Sequence, residues 1–211
     1  MASSGLHLQG SRVLLCVCGG IAAYKSVELV RRLVDAGAEV QVAMTAHALQ
    51  FVGAASFQAV SGRVVRSTLW DEAAEAAMGH IELARWAGQV LIAPATANTL
   101  AKLAHGLADD LVSTLCLATI APIVVAPAMN HRMWLHAATQ ATVEPLRSRG
   151  VRVLGPDEGP QACGEFGPGR LRERGVRIVG PNDGPLAEGE SGPGRMAEPL
   201  EIVAALAGAM A

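Results

Sequence analysis

Charge is what this sequence has little of. Of its 211 residues only 17% are Asp, Glu, Lys or Arg, and the formal net charge is -2. That removes the usual electrostatic reason to bind nucleic acid or an anionic membrane. No apolar run is long enough to cross a bilayer, and Met1 to Arg12 lacks the apolar core of a signal peptide, so a cytoplasmic protein is expected. Cysteine is sparse as well: Cys16, Cys18, Cys116 and Cys163 fit no disulfide framework. Cys16 and Cys18 are expected on opposite sides of one strand, as core residues unable to chelate a metal together, and no metal is expected.

What is present is apolar, at 51% of residues. A chain of this length suits one domain over residues 1–211, because splitting it would leave two marginal cores. With so few charges, some apolar surface is expected to be buried between subunits.

Residues 1–11 read as a disordered leader. Val13 to Cys18 is an apolar run of strand length, unbroken as a strand covered on both faces would be. It ends in Gly19-Gly20, after which Ile21 to Ala36 has helical spacing and Gly37 supplies a stop. Glu39 to Met44 is a second strand. Ala46 to Gly62 reads as helical, with Phe51 and Phe57 in the core, and Asp71 to Ala77 as a short helix or loop. His80, Leu83, Ala84 and Ala87 would share one helical face. Val90 to Ala93 and Ile123 to Val125 are further buried strands, and Asp109-Asp110 caps the helix Leu111 to Ala118.

Two phosphate-binding motifs can be tested at Gly19-Gly20. A P-loop needs Gly immediately before its Lys, whereas Tyr24 precedes Lys25. A dinucleotide fingerprint needs a third Gly and an acidic residue after the second strand, which here ends Met44-Thr45. What remains is a tight turn aimed at a helix N-terminus, suited to a mononucleotide phosphate or to nothing. Two more strands run into polar turns, Thr96-Ala97-Asn98-Thr99 and Ala126 to Trp134, and Asn130 stands where a helix should begin. Capping accounts for some of these groups. In a doubly wound sheet all three loops share one edge, which makes a mononucleotide-sized site reasonable.

The tail carries a repeat: Arg149 to Leu171 aligns with Arg174 to Met196 at 15 of 23 positions, offset by 25. A strand and a Gly/Pro-rich flap are written twice, with Cys163 in the first copy matched by Glu188 in the second. Each copy is expected to be a mobile flap, with the first closing and the second extruded.

Together these motifs resemble the flavin-dependent cysteine decarboxylases, and among them the branch acting on phosphopantothenoylcysteine. The segments that carry the resemblance are Gly19-Gly20-Ile21, Thr45, Met78 to Leu83, Thr96 to Thr99, Pro127 to Trp134, and Ala162 to Glu165 with Gly167 to Arg170. It implies a doubly wound, mainly parallel α/β sheet with helices on both faces, flavodoxin-like or Rossmann-like, and a Gly/Pro-rich C-terminal flap. The implied cofactor is FMN, held by Gly19, Gly20, Ile21, Thr45, Thr96, Ala97, Asn98, Thr99 and Ala128.

The implied reaction is decarboxylation of 4'-phospho-N-pantothenoylcysteine to 4'-phosphopantetheine in coenzyme A biosynthesis. The roles that follow are His80 as base, Asn130 as carboxylate or amide holder, Cys163 as proton donor, and Arg85, Met133 and Ala162 in the substrate pocket. A homotrimer or dodecamer with FMN between subunits is implied, together with a ligase domain or partner outside this chain. A peptidyl-cysteine decarboxylase, an inactive flavin-binding regulatory subunit and a prenyl-flavin synthase are alternatives of the same fold.

Overall fold

Val13, Leu14, Leu15, Cys16 and Val17 are each wholly removed from solvent in the computed structural model, which describes residues 7–70, 79–148, 153–154, 176–185 and 191–208. A strand covered on both faces needs no polar alternation, and β1 (Arg12–Val17) lies inside a six-stranded parallel sheet. Its companions are β2 (Glu39–Met44), β3 (Gln89–Ala95), β4 (Ile123–Pro127), β5 (Val153–Leu154) and β6 (Val176–Val179), in the order β2-β1-β3-β4-β6-β5. The chain leaves β1 for β2 on one side and returns to β3 on the other, so the topological switch lies between β1 and β3.

The alternation along β1 divides the core in two. Val13, Leu15 and Val17 pack with Leu29 and Leu33 of the helix Ala23–Asp35, Phe57 of Ala54–Ser61, and Ile202 and Leu206 of Pro199–Ala207. Leu14, Cys16 and Cys18 pack with Leu83 of His80–Trp86, Leu100 of Ala97–His105, Leu115 of Leu111–Ala118, and Val143 and Leu146 of Ala137–Ser148. This is the expected doubly wound arrangement with helices on both faces. It also corrects one expectation: Cys16 and Cys18 are two residues apart, so the strand period puts them on the same side, where Cys116 joins them. All three are free buried thiols, and no metal-binding group of three or more His, Cys, Asp or Glu occurs among the described residues. No helix among those residues is long and apolar enough to cross a membrane.

Two local expectations change. Of the leader, residues 7–11 are held against the body: Leu8 is wholly buried, its N–H donates to Ala36 O at 2.9 Å, and Gly10 N–H donates to Gly37 O at 3.1 Å. Gly37, at φ 92°, turns the chain there as only glycine does readily. The Ala46 to Gly62 stretch is a single 3-10 turn, Ala48–Gln50, and then the helix Ala54–Ser61, with Gly53 in extended backbone between them. That break leaves Phe51 49% exposed while Phe57 is wholly buried. Asp71 to Ala77 lie outside the described residues.

The tail differs most from expectation. The second repeat copy is not extruded: its strand β6 pairs with β4 in parallel, Ile123 opposite Val176, and its flap forms an antiparallel hairpin of β7 (Asn182–Pro185) and β8 (Ser191–Arg195). Only Val153 and Leu154 of the first copy are described, as β5 on the outer edge of β6. Val153 faces Ile178 and Leu154 faces Val179, which are their own repeat equivalents.

Candidate active site

Each parallel strand ends at the same edge of the sheet, so the loops that follow them meet. They enclose a cavity of about 1110 Å³ lined by Cys18 to Ala22 after β1, Thr45 to His47 after β2, Thr96 to Thr99 after β3, and Ala128 to Asn130 with Met133 after β4. The hairpin adds Pro185 and Gly194 to Met196.

The close approach of the first two loops explains Gly19. A Cβ there would lie 2.5 Å from His47 Cβ and 2.7 Å from its carbonyl carbon, whereas one on Gly20 would meet nothing within 4 Å. Thr45 fixes the second loop: its Oγ1 accepts Ala48 N–H at 3.2 Å, and its own N–H donates to Val17 O at 3.0 Å.

After β3, Thr96 is the N-cap of the Ala97–His105 helix and accepts Thr99 N–H at 3.3 Å. Its hydroxyl also lies 3.0 Å from Thr99 Oγ1, which in turn donates to Cys18 Sγ at 3.2 Å. Burial pushes the Cys18 thiol up to about 12, against the opposing hydrogen bond from Thr99. A hydrogen bond with Cys116, reinforced by burial, holds the Cys16 thiol well above its ordinary range. These thiols are neutral packing groups, and the Thr96-Thr99-Cys18 chain ties the third loop to the first. Asn98 is exposed at the cavity wall.

After β4, Ala128 N–H donates to Ala95 O at 3.0 Å and Met129 N–H to Gly194 O at 2.9 Å, so the Asn130 turn is fastened to β3 and to the hairpin. Asn130 is the N-cap of the short helix His131–Leu135, its Oδ1 accepting Arg132 N–H at 2.8 Å. Trp134 is buried behind it, while Met133 is half exposed and lines the cavity.

The structure thus brings together Gly19, Gly20, Ile21, Thr45, Thr96, Ala97, Asn98, Thr99, Ala128, Asn130 and Met133. His80 and Arg85 do not line this cavity: their helix packs Leu83 and Ala84 into the second core layer. Ala162 and Cys163 lie outside the described residues.

Sequence reading missed two charged groups at the cavity. Lys102 Nζ lies 2.7 Å from Asp109 Oδ1 and 2.6 Å from Asp110 Oδ2, with its side chain only 14% exposed. Asp110 was legible only as a cap, and it is one, forming a reciprocal capping box with Ser113. Burial alone would raise its carboxyl, but hydrogen bonds from Lys102 and Ser113 outweigh that and hold it below its ordinary value. Burial likewise works to lower Lys102, and the two carboxylates reverse that and raise it. The second group is Lys25, Arg195 and Glu198: Glu198 Oε1 accepts from Lys25 Nζ at 2.7 Å and from Arg195 at 3.0 Å. The signal for Lys102 was an Asp-Asp pair seven and eight residues downstream, which matters only once the helix and the following loop are folded together.

The Flavoprotein family model matches residues 1–173. The chain is 58% identical over 166 residues to the coenzyme A biosynthesis bifunctional protein CoaBC of Escherichia coli strain K12, covering 79% of this chain and 41% of that protein. It is 45% identical to CoaBC of Bacillus subtilis strain 168 over 164 residues, 78% of this chain and 40% of the relative. The chain therefore spans about two fifths of the length of the curated relatives it matches. Among solved structures, a PPC decarboxylase mutant complexed with pantothenoylaminoethenethiol is 31% identical at a TM-score of 0.72, covering 94% of this chain and 97% of that one. The FMN-binding protein AtHal3 is 31% identical at a TM-score of 0.70, with 94% and 95% covered.

Proposed function

The chain belongs to the flavoprotein family, and on that premise we propose that it is an FMN-dependent carbon–carbon lyase of coenzyme A biosynthesis, decarboxylating 4'-phospho-N-pantothenoylcysteine to 4'-phosphopantetheine. The observation that carries this reading is the convergence of three strand-end loops, after β1, β3 and β4, on one cavity. FMN is the cofactor, and the residues present fit it. The capped N-terminus of the Ala97–His105 helix and the Gly19-Gly20 turn offer backbone N–H groups to a phosphate, and Thr45, Asn98 and Thr96 add polar side chains. Ile21 and Ala128 supply apolar wall.

When bound, FMN supplies the redox chemistry that lets CO2 leave from the cysteinyl end of the substrate. The chain's own residues bind, orient and move protons. Asn130, at the cavity wall, holds the substrate's carboxylate or amide through a neutral group, which leaves the charge that departs with CO2 unpaired. Met133 and Arg85 bound the substrate pocket, and by the resemblance the flap adds Ala162 or its repeat equivalent Ala187. His80 is the base, an imidazole nitrogen being able to accept a proton. Because His80 and Arg85 do not line the cavity of their own chain, they serve a site shared with another copy, in a homotrimer or a dodecamer. Exposed Ile81, Leu117 and Ile120 give such copies apolar surface to bury. By the resemblance the proton donor is the flap residue at the position of Cys163, which the second copy fills with Glu188.

The relatives are more than twice the length of the match, which supports a ligase domain or partner that takes the preceding step. The low charge and the absence of a membrane-crossing helix among the described residues support a cytoplasmic setting. The cofactor part is tested by the absorption spectrum of purified protein after incubation with FMN and removal of the free dye. Retained flavin bands are expected, and a colourless protein would overturn the assignment.

A further inference from the structure

The repeat poses a question that neither the family nor the reaction answers: two copies of one strand and flap compete for a single place in the fold. We infer that the second copy, Arg174 to Glu198, is the operative one, and that the first, Arg149 to Glu173, of which Val153 and Leu154 pair at the edge of the sheet, is an insertion. Four independent contacts support the choice.

The first is the sheet itself. The place beside β4 is filled by β6, with Ile123, Val124 and Val125 opposite Val176, Arg177 and Ile178, while β5 pairs with β6 alone through two residues. The second is the seat of the hairpin on the Asn130 turn. Gly194 O accepts Met129 N–H at 2.9 Å, and a Cβ on Gly194 would collide with Met129 O and come within 3.2 Å of His131 N. Gly192, at φ 158°, likewise leaves His131 Cβ only 3.1 Å from where its own Cβ would stand. The third is the ion cluster in which Glu198 bridges Arg195 of the hairpin to Lys25 of the first helix. The fourth is Asn182, whose Nδ2 donates to Glu201 Oε2 at 2.7 Å and so ties the start of the hairpin to the last helix.

Among the described residues each of these partners is used by the second copy. Gly169, Arg170 and Glu173 are the repeat equivalents of Gly194, Arg195 and Glu198, and they could make the same contacts only by evicting them. Identical chemistry is thus present twice, and the covalent link of the second copy to the Pro199–Ala207 helix, buried through Ile202, Val203 and Leu206, decides which one docks. For the reading proposed above, on which this consequence rests, the second copy has Glu188 in the sequence where the first has Cys163. Cys163 belongs to the first copy.

Matched substitutions in the full chain test this. Gly194→Ala is expected to weaken FMN binding by about ten-fold or more, since overpacking against backbone cannot relax cheaply, and to lower the Tm by several degrees. Gly169→Ala is expected to change neither. Glu198→Gln against Glu173→Gln is a milder second pair for the case in which Gly194→Ala does not fold, and only Glu198→Gln should lower the Tm. Excision of residues 149–173 is expected to keep both Tm and FMN affinity. Equal effects at Gly169 and Gly194, a larger effect at Gly169, or loss of fold on excising residues 149–173 would overturn the inference. If the unmodified chain binds no FMN, the cofactor reading falls, and the ranking of Tm values still judges the two copies.

Discussion

Replacing Asn130 by Asp and by Ala separates a helix cap from a substrate contact. As a cap, Asn130 contributes the 2.8 Å hydrogen bond from Arg132 N–H to Oδ1, and the helix it starts is only His131–Leu135, held in place by buried Trp134. Removing the acceptor with Ala should cost about 1 kcal/mol of stability. Asp keeps an acceptor at the same place and should leave stability within about 0.5 kcal/mol, because Asp and Asn cap about equally well. The two roles part at this variant. A carboxylate at the cavity wall would face the substrate's own carboxylate, and two such charges about 4 Å apart in a partly buried site repel by roughly 4 kcal/mol. Even a third of that costs about ten-fold in rate. Asn130→Asp should therefore unfold at the same denaturant midpoint as the parent and lose kcat/KM by about ten- to a thousand-fold. Urea unfolding and initial rates of CO2 release measure the two quantities. A stable Asn130→Asp protein with full turnover would return Asn130 to the role of a cap and refute the reasoning.

Other expectations follow from the same geometry. Gly19→Ala should abolish FMN binding by forcing the His47 turn outward, while Gly20→Ala, facing open space, should keep the fold; flavin fluorescence titration compares them. Asp110→Ala should lower stability by about 1–3 kcal/mol, since it removes a cap and a charged hydrogen bond to Lys102. The folded Asp110 carboxyl sits below its ordinary 3.8, so its contribution is present above pH 3.8 and lost as pH falls through the folded value. Lys102 sits above 10.5, so its contribution is present below pH 10.5 and lost as pH rises through the folded value. Asp110→Ala should flatten both limbs of the stability profile. A thiol reagent on the native protein near pH 8 should label Cys163 at most, because Cys16, Cys18 and Cys116 are buried, and denaturant should expose all four.

The sheet was legible because buried parallel strands have no alternation to hide. Val13 to Cys18, Glu39 to Met44, Val90 to Ala93 and Ile123 to Val125 each lie within a residue or two of the observed strands. The three polar loops were legible for a related reason, since each follows a strand and opens a helix. Contacts between distant segments were not. Nothing local says that Lys102 bridges Asp109 and Asp110, or that Leu8 is covered by the turn after the first helix. His80 was legible as a residue on a helix that buries Leu83 and Ala84, but that it does not line the cavity depends on how that helix packs against distant segments. The repeat was the hardest case, because the two copies have nearly the same local preferences. Their placement follows from what comes after them, the anchored Pro199–Ala207 helix, which composition of the flap could not reveal.

The central claim is tested most directly by incubating FMN-loaded protein with 4'-phospho-N-pantothenoylcysteine and identifying the product by mass spectrometry. The account expects 4'-phosphopantetheine, the substrate less one CO2, formed by the parent and abolished in His80→Asn. Unchanged substrate in the presence of bound FMN, or equal conversion by His80→Asn, would contradict it.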